Sequence, residues 1–271
     1  MPTALFQASF TDGTVPDTFE AAISNGQHVN APFGPAPVAG RLFLSTAPDG
    51  AACLQSTLAI GDATDTAGHN RSEMRWPFDG ALQERWNTIE IFVPRDFDSS
   101  AQVCLYQIHD QWNDPTDTLW VTGHEKWVNL GVHAKNEVLL FLIPINAPDD
   151  SSNNYRIGGT APLVRGRWAQ MVVHANWAID GTGFYEIWYD GYKVMSEWNR
   201  AAGYNDPIGP ATTFGVYAAT GDPHMTVTRT AYYRNAAIYA GSAIRSWQDI
   251  FVGSAPPKPR VQFKSTATGF R

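Results

Sequence analysis

Trp188-Tyr189-Asp190-Gly191-Tyr192-Lys193 sets an Asp-Gly pair between two aromatic runs. Asp-Gly supplies the positive φ values of a type I′ turn, whose twist matches that of the strands it joins, so the hexapeptide reads as a tight β-hairpin. The same grammar extends along the chain in both directions. Short runs rich in Val, Ile, Trp, Tyr and Phe are punctuated by Gly, Pro, Asn and Asp, with no long 3.6-residue or heptad pattern and no repeat at solenoid or propeller spacing. The pattern predicts strands at 4–10, 41–45, 71–76, 86–93, 103–109, 127–133, 137–143, 168–176, 183–189, 192–197, 213–217, 226–234 and 236–239. So many strands in one domain need two packed sheets. The polar stretch 144–159, with Asp149, Asp150, Ser151, Ser152, Asn153 and Asn154, reads as an exposed loop that could overhang a cleft.

The 271 residues, 44% hydrophobic, suffice for one large β domain and do not require two. The expected domain is 1–253. A basic tail, 254–271, holds Pro256, Pro257, Pro259, Lys258, Arg260, Lys264 and Arg271 with no acid, and reads as a solvated extension. Charged residues are only 17% of the chain while aromatics reach 13%, a profile that suits a sheet with an aromatic-lined cleft. A net charge of −7 provides no global positive field to gather nucleic acid or an acidic membrane surface. The longest apolar run, 138–143, is far too short to span a bilayer, and the N-terminus shows neither a basic leader region nor an apolar run of signal length. Cys53 and Cys104 lie in no metal or redox spacing and read as free, buried thiols, with a disulfide as the alternative.

Three short strands carry chemistry. In Arg71-Ser72-Glu73-Met74-Arg75, alternation puts Arg71, Glu73 and Arg75 on one face at about 7 Å spacing, a rigid cationic surface or else a solvated row of charge pairs. In Gln107-Ile108-His109 an amide donor and an imidazole share a face, a pair able to hold a carboxylate and move a proton, while Cys104, Tyr106 and Ile108 are expected on the core side. In Thr213-Phe214-Gly215-Val216-Tyr217 the face of Thr213, Gly215 and Tyr217 has room at the glycine, and Phe214 and Val216 point to the core. Trp112, Trp120, Trp127 and Tyr155 fall in or near expected cleft loops, and His133 reads as a hydrogen-bonded sheet histidine. Glu186 and Asp190 invite a paired-carboxylate hydrolase reading, although Asp190 is already explained by its turn.

Taken together, the blocks Arg71–Arg75, Gln107–His109 and Phe214–Tyr217 resemble in order and spacing the jelly-roll polysaccharide lyases, among them alginate lyases with RSEL(R), QIH and KxGxY motifs and the heparin lyase I and glucuronan lyase group. The stretch 167–193, with Trp168, His174, Trp177 and Glu186–Gly191, is more similar to the latter branch. The resemblance covers roughly 41–239. It implies an all-β, concanavalin A-like jelly-roll sandwich of two antiparallel sheets that cleaves a uronate-bearing anionic polysaccharide by β-elimination. It implies His109 as base and Tyr217 as acid, or Tyr217 in both roles, with Arg71 and Gln107 neutralising the carboxylate. His69, Glu73, Arg75, Thr213, Trp112, Trp120, Trp127 and Tyr155 would then bind substrate. One departure stands out: the family usually carries Lys where this chain has Thr213.

The resemblance implies no cofactor for the chemistry and is compatible with a structural calcium near Arg234 and Asn235. The expected partner is an anionic polysaccharide, with no nucleic acid and no membrane, bound by a monomer; such a substrate favours a secreted protein. Two rival readings remain on the residues alone: an acidic-glycan-binding module without catalysis, and a glycoside hydrolase.

Overall fold

The structure is a computed structural model that describes residues 2–13, 20–23, 27–30, 41–60, 62, 70–76, 83–110, 128–145, 155–203, 210–218 and 227–251. In chain order its strands are β1 (Phe6–Ala8), β2 (Glu20–Ile23), β3 (Gln27–Asn30), β4 (Leu42–Thr46), β5 (Ala52–Leu58), β6 (Asn70–Trp76), β7 (Glu84–Phe92) and β8 (Val103–Asp110). There follow β9 (Val128–Lys135), β10 (Val138–Pro144), β11 (Tyr155–Pro162), β12 (Trp168–Asn176), β13 (Gly183–Tyr189), β14 (Tyr192–Arg200), β15 (Pro210–Ala218) and β16 (Arg229–Ala240). Two 3-10 turns, Gly241–Ala243 and Trp247–Asp249, come after β16. Among the described residues no helix is long and apolar enough to cross a membrane.

The strands form two eight-stranded antiparallel sheets. Sheet A runs β14-β13-β12-β7-β16-β5-β4 with β1 added against β16, and sheet B runs β11-β10-β9-β8-β15-β6-β2-β3. Alternate residues of the two sheets meet in one apolar core, with Ile89, Val173, Tyr185 and Ile187 from sheet A against Val132, Phe141, Met74 and Phe214 from sheet B. The hairpin is as the sequence requires: Tyr189 pairs with Tyr192, and Asp190 and Gly191 take φ of 52° and 81°. Arg167 grips both carboxylate oxygens of Asp190 from across the turn.

The outer face of sheet A is a second, smaller cluster. Trp86, Val172 and Trp188 pack under Ile244 and Ile250, so the segment carrying the 3-10 turns covers this face. His174 stacks on Trp86 at 3.7 Å and is held between Glu84 at 2.7 Å and Glu186 at 3.2 Å, while Lys193 takes the other oxygen of Glu186. Glu186 is therefore an ion-pair partner on the sheet opposite the three chemical blocks, and Asp190 belongs to its turn. The paired-carboxylate arrangement that a hydrolase needs is not formed by these two residues.

Several expectations change. The stretches 226–234 and 236–239 are parts of one strand, β16, whose pairing with β7 slips between Arg234 and Ala237 where Asn235 takes a φ of 50°. A bulge absorbs the extra residues without ending the strand. The exposed loop expected over 144–159 ends at Tyr155, where β11 begins to pair with β10. Strands β2, β3, β5 and β11 lie outside the strands the pattern predicts. In β5, Ser56 occupies a core-side position where the alternation calls for an apolar residue, and the reason lies in the other sheet, as described below. Both cysteines are free and buried. The tail expected at 254–271 lies outside the described residues.

Candidate active site

The three chemical blocks become neighbours in sheet B because β15 pairs with β6 on one side and β8 on the other. Register then sets who stands beside whom. Tyr217 is opposite Arg71, Gly215 opposite Glu73, and Thr213 opposite both Arg75 and Gln107. Met74, Phe214, Val216 and Ile108 enter the core, so Arg71, Glu73, Gln107, His109, Thr213 and Tyr217 share the face turned away from it.

Two bulges tune that face. Opposite β9, β8 carries one extra residue between Cys104 and Tyr106, and opposite β8 the register of β15 shifts between Phe214 and Tyr217. Leu105 and Tyr106, although consecutive, both enter the core. Cys104 consequently turns to the site face, contrary to the simple alternation expected of it, and joins the cross-strand row Arg71, Tyr217, Cys104, His133. The strand backbone loosened by the bulges is satisfied from sheet A. The Tyr233 hydroxyl lies 3.1 Å from the Leu105 carbonyl and 2.8 Å from that of Gly215. Ser56 accepts from Val216 N at 2.9 Å and donates to the Ser72 carbonyl at 2.5 Å. That is why a serine interrupts the apolar face of β5.

Gly215 has a φ of 151°, and a Cβ there would lie 2.1 Å from the Ser72 carbonyl oxygen and 2.6 Å from Glu73 Cα. The missing side chain therefore serves a close approach of β6 and β15. It also leaves β15 bare between Glu73 and Gln107, and the Gln107 amide donates across it to Glu73 Oε1 at 2.9 Å. His109 Nε2 is 3.1 Å from the Thr213 hydroxyl. The Arg71 guanidinium lies over the Tyr217 ring at 5.0 Å.

Arg71, Glu73, Gln107, His109 and Thr213 are all buried, and Tyr217 and Arg75 half-buried. Burial pushes the Glu73 carboxyl up to about 7, against the opposing pull of Arg71 and the Gln107 hydrogen bond. It also holds the Cys104 thiol neutral and lowers His133 to about 4, where the ring accepts or donates at Nδ1 with Gln102 at 3.2 Å.

Of the other expected residues, Tyr155 is half-buried at the start of β11, three strands from β8 and so roughly 14 Å away across the sheet. It is not brought to the cluster. His69, Trp112, Trp120 and Trp127 lie outside the described residues. Sequence reasoning missed that β2 and β3 extend the site sheet: Ala22 is the register partner of Glu73 and His28 that of Ala22. The signal was present as Asn25-Gly26, a hairpin dipeptide between the two short strands.

Among the described residues no group of three or more His, Cys, Asp or Glu could hold a metal. The surroundings of Arg234 and Asn235 do not suit a calcium ion either. Arg234 and Asn235 both donate to Glu90, so the carboxylate there already faces a guanidinium.

Residues 39–237 match the family model described as polysaccharide lyase. No curated protein matches the chain. Among solved structures it is similar to an endo-β-1,4-glucuronan lyase from the fungus Trichoderma reesei, with a TM-score of 0.58 and 18% identity over 88% of this chain and 96% of that one. The family 7 alginate lyase A1-II′ gives a TM-score of 0.59 and 14% identity over 85% and 98%. An alginate lyase from Pseudomonas aeruginosa gives 0.56 and 11% over 83% and 98%. At these identities the likeness is one of fold, a two-sheet jelly roll.

Proposed function

The chain belongs to the polysaccharide lyase family, and on that premise we propose that it cleaves a uronate-bearing polysaccharide by β-elimination, leaving an unsaturated uronate at the new non-reducing end. The observation that carries this reading is the register of β6, β15 and β8, which gathers Arg71, Gln107, His109 and Tyr217 on one sheet face.

The chemistry asks for three things. The C5 proton is weakly acidic because it lies next to a carboxylate, so that carboxylate must be neutralised as charge moves onto it. Arg71 offers charge, and the second N–H of Gln107 offers a donor, both fixed in a buried site where they act at low dielectric. A base must take the C5 proton, and an acid must protonate the departing 4-oxygen. Along β15, His109 is aligned with Ala211 and Tyr217 with Arg71, so the two stand on either side of the Glu73–Gln107 pair. In this reading His109 acts as base and Tyr217 as acid, the roles that the family resemblance implies. Thr213 stands where the related motif has Lys, and its hydroxyl instead orients His109. Neutralisation therefore rests on Arg71 and Gln107, with Arg75 on the same face.

Incubation with glucuronan, alginate and heparin-type polymers, followed by ultraviolet absorbance of the conjugated product, tests the reading. An increase with at least one polymer is expected. His109→Ala and Tyr217→Phe should each lower turnover by about 10²–10⁴-fold with the circular dichroism spectrum retained. Absence of product with every polymer, or full activity in both variants, would refute the assignment.

A further inference from the structure

Glu73 is out of place in a surface meant to hold a carboxylate. It is 1% exposed, where water cannot screen its repulsion of a second anion. Its two oxygens are used unequally: Oε1 accepts from Gln107, while Oε2 is buried with no hydrogen-bond partner among the described residues. An ionised carboxylate presents acceptors on both oxygens, and a bare one in a dry site is costly. A neutral acid fits the same geometry, because its carbonyl oxygen can still accept from Gln107 while the proton resides on Oε2.

The ionisable groups around it come from every packed strand. Arg71 and Arg75 flank it on β6, Tyr217 stands on β15, and Cys104 and His109 on β8. Tyr233 rises from β16 in the opposite sheet, and both it and Cys104 are kept neutral by burial. On the far side Glu20 of β2 is in register with Arg75, and His28 of β3 with Ala22. Burial outweighs the pull of Arg71 and of the Gln107 bond, so Glu73 changes charge near neutral pH even before substrate arrives.

We propose that Glu73 is a positioning residue which anchors the Gln107 amide and must be a neutral acid when a uronate is bound, so that substrate binding draws one proton from solvent onto Oε2. The inference rests on the uronate reading of the site. The balance is simple: one proton leaves water or buffer, the Glu73 carboxylate becomes a carboxylic acid, and no other bond changes. The gain is that Arg71 then faces the substrate carboxylate alone, instead of sharing its charge with Glu73.

Calorimetric titration of the Tyr217→Phe variant with an oligouronate, in two buffers of different ionisation enthalpy, reads this proton directly. Uptake should approach one proton per site at about pH 8 and fall towards none at about pH 5.5, where Glu73 already carries it. Adding Glu73→Gln should abolish the uptake at both pH values. In turnover, the wild-type KM should rise about tenfold per pH unit above neutrality, and that rise should disappear in Glu73→Gln. Should Glu73→Gln fail to fold, the carboxyl carbon-13 resonance of Glu73 at about pH 8 must still move to the protonated position when oligouronate is added. Uptake that survives Glu73→Gln, or a resonance that stays ionised in the complex, overturns the inference while leaving the lyase reading intact. Wild-type protein that neither binds nor cleaves any uronate polymer would sink the lyase reading itself.

Discussion

Gly215 shows how far a single residue can constrain this site. Its φ of 151° is open to glycine and strained for other residues, and the space a Cβ would need is filled by backbone of β6 rather than by a side chain able to move. Gly215→Ala should therefore destabilise the fold by about 2–4 kcal/mol, read as a lowered denaturant midpoint, and activity should fall further than stability because β6 carries Arg71 and Glu73. The sequence places Gly215 on a site-facing position and implies only that there is room beside it. The structure gives a narrower reason, a close approach of two strands, which depends on pairing and so could not be read from one strand. Cys104 makes the complementary point. Its side follows from a one-residue bulge, and a bulge reverses the face of every residue on one side of it.

At the scale of elements, the site is a bulged sheet held from beneath by the opposite one. The hydroxyls of Tyr233 and Ser56 cross the core to bulge-associated backbone groups of β8, β15 and β6. Buried backbone groups without partners are costly, so Tyr233→Phe should lose about 1–3 kcal/mol in equilibrium unfolding. Its kcat should fall, because the bulged backbone of β8 and β15 positions Gln107 and Tyr217. An unchanged kcat would mean that the bulges are rigid without this support. The Ser56 hydroxyl also explains why β5 carries a weak strand signal: Ala-Cys-Leu-Gln-Ser-Thr-Leu lacks the β-branched alternation of a sandwich strand because one inward position is reserved for a polar task.

For the whole molecule, two groups on the site face, buried Glu73 and half-buried His133, pull stability in opposite directions with pH. Glu73 is raised from 4.5 to about 7, so its folded state holds the proton more tightly, and its contribution is complete below about 4.5 and is lost as pH rises towards 7. His133 is lowered from 6.5 to about 4, so its contribution is complete above about 6.5 and is lost as pH falls towards 4. The two slopes oppose one another over a shared window, and the wild-type thermal midpoint should be nearly flat there. His133→Gln should remove one slope and leave a midpoint that falls steadily from about pH 4.5 to 7, measurable by a series of melts. A profile as flat as wild type would show that desolvation does not hold the His133 imidazole neutral. The net charge of −7 acts on a different length scale. It would repel a polyanion from a distance, whereas the charge of buried Arg71 would be felt only at contact, so an acidic whole is compatible with the proposed site.

Local sequence is enough to specify an all-β chain, a hairpin turned at Asp190 and Gly191, and, within each chemical block, a face shared by Arg71 with Glu73, Gln107 with His109, and Thr213 with Tyr217. These are local properties, because side-chain alternation and turn geometry depend on a few consecutive residues. Long-range pairing was needed to place β15 between β6 and β8, to bring Cys104 round to the same face through bulges, and to set Ser56 and Tyr233 to serve the opposite sheet. The same pairing buries Glu73 deeply enough to hold its proton near neutrality. Strand order, register slips and local dielectric are set by segments far apart in the chain, and no window of sequence contains both partners.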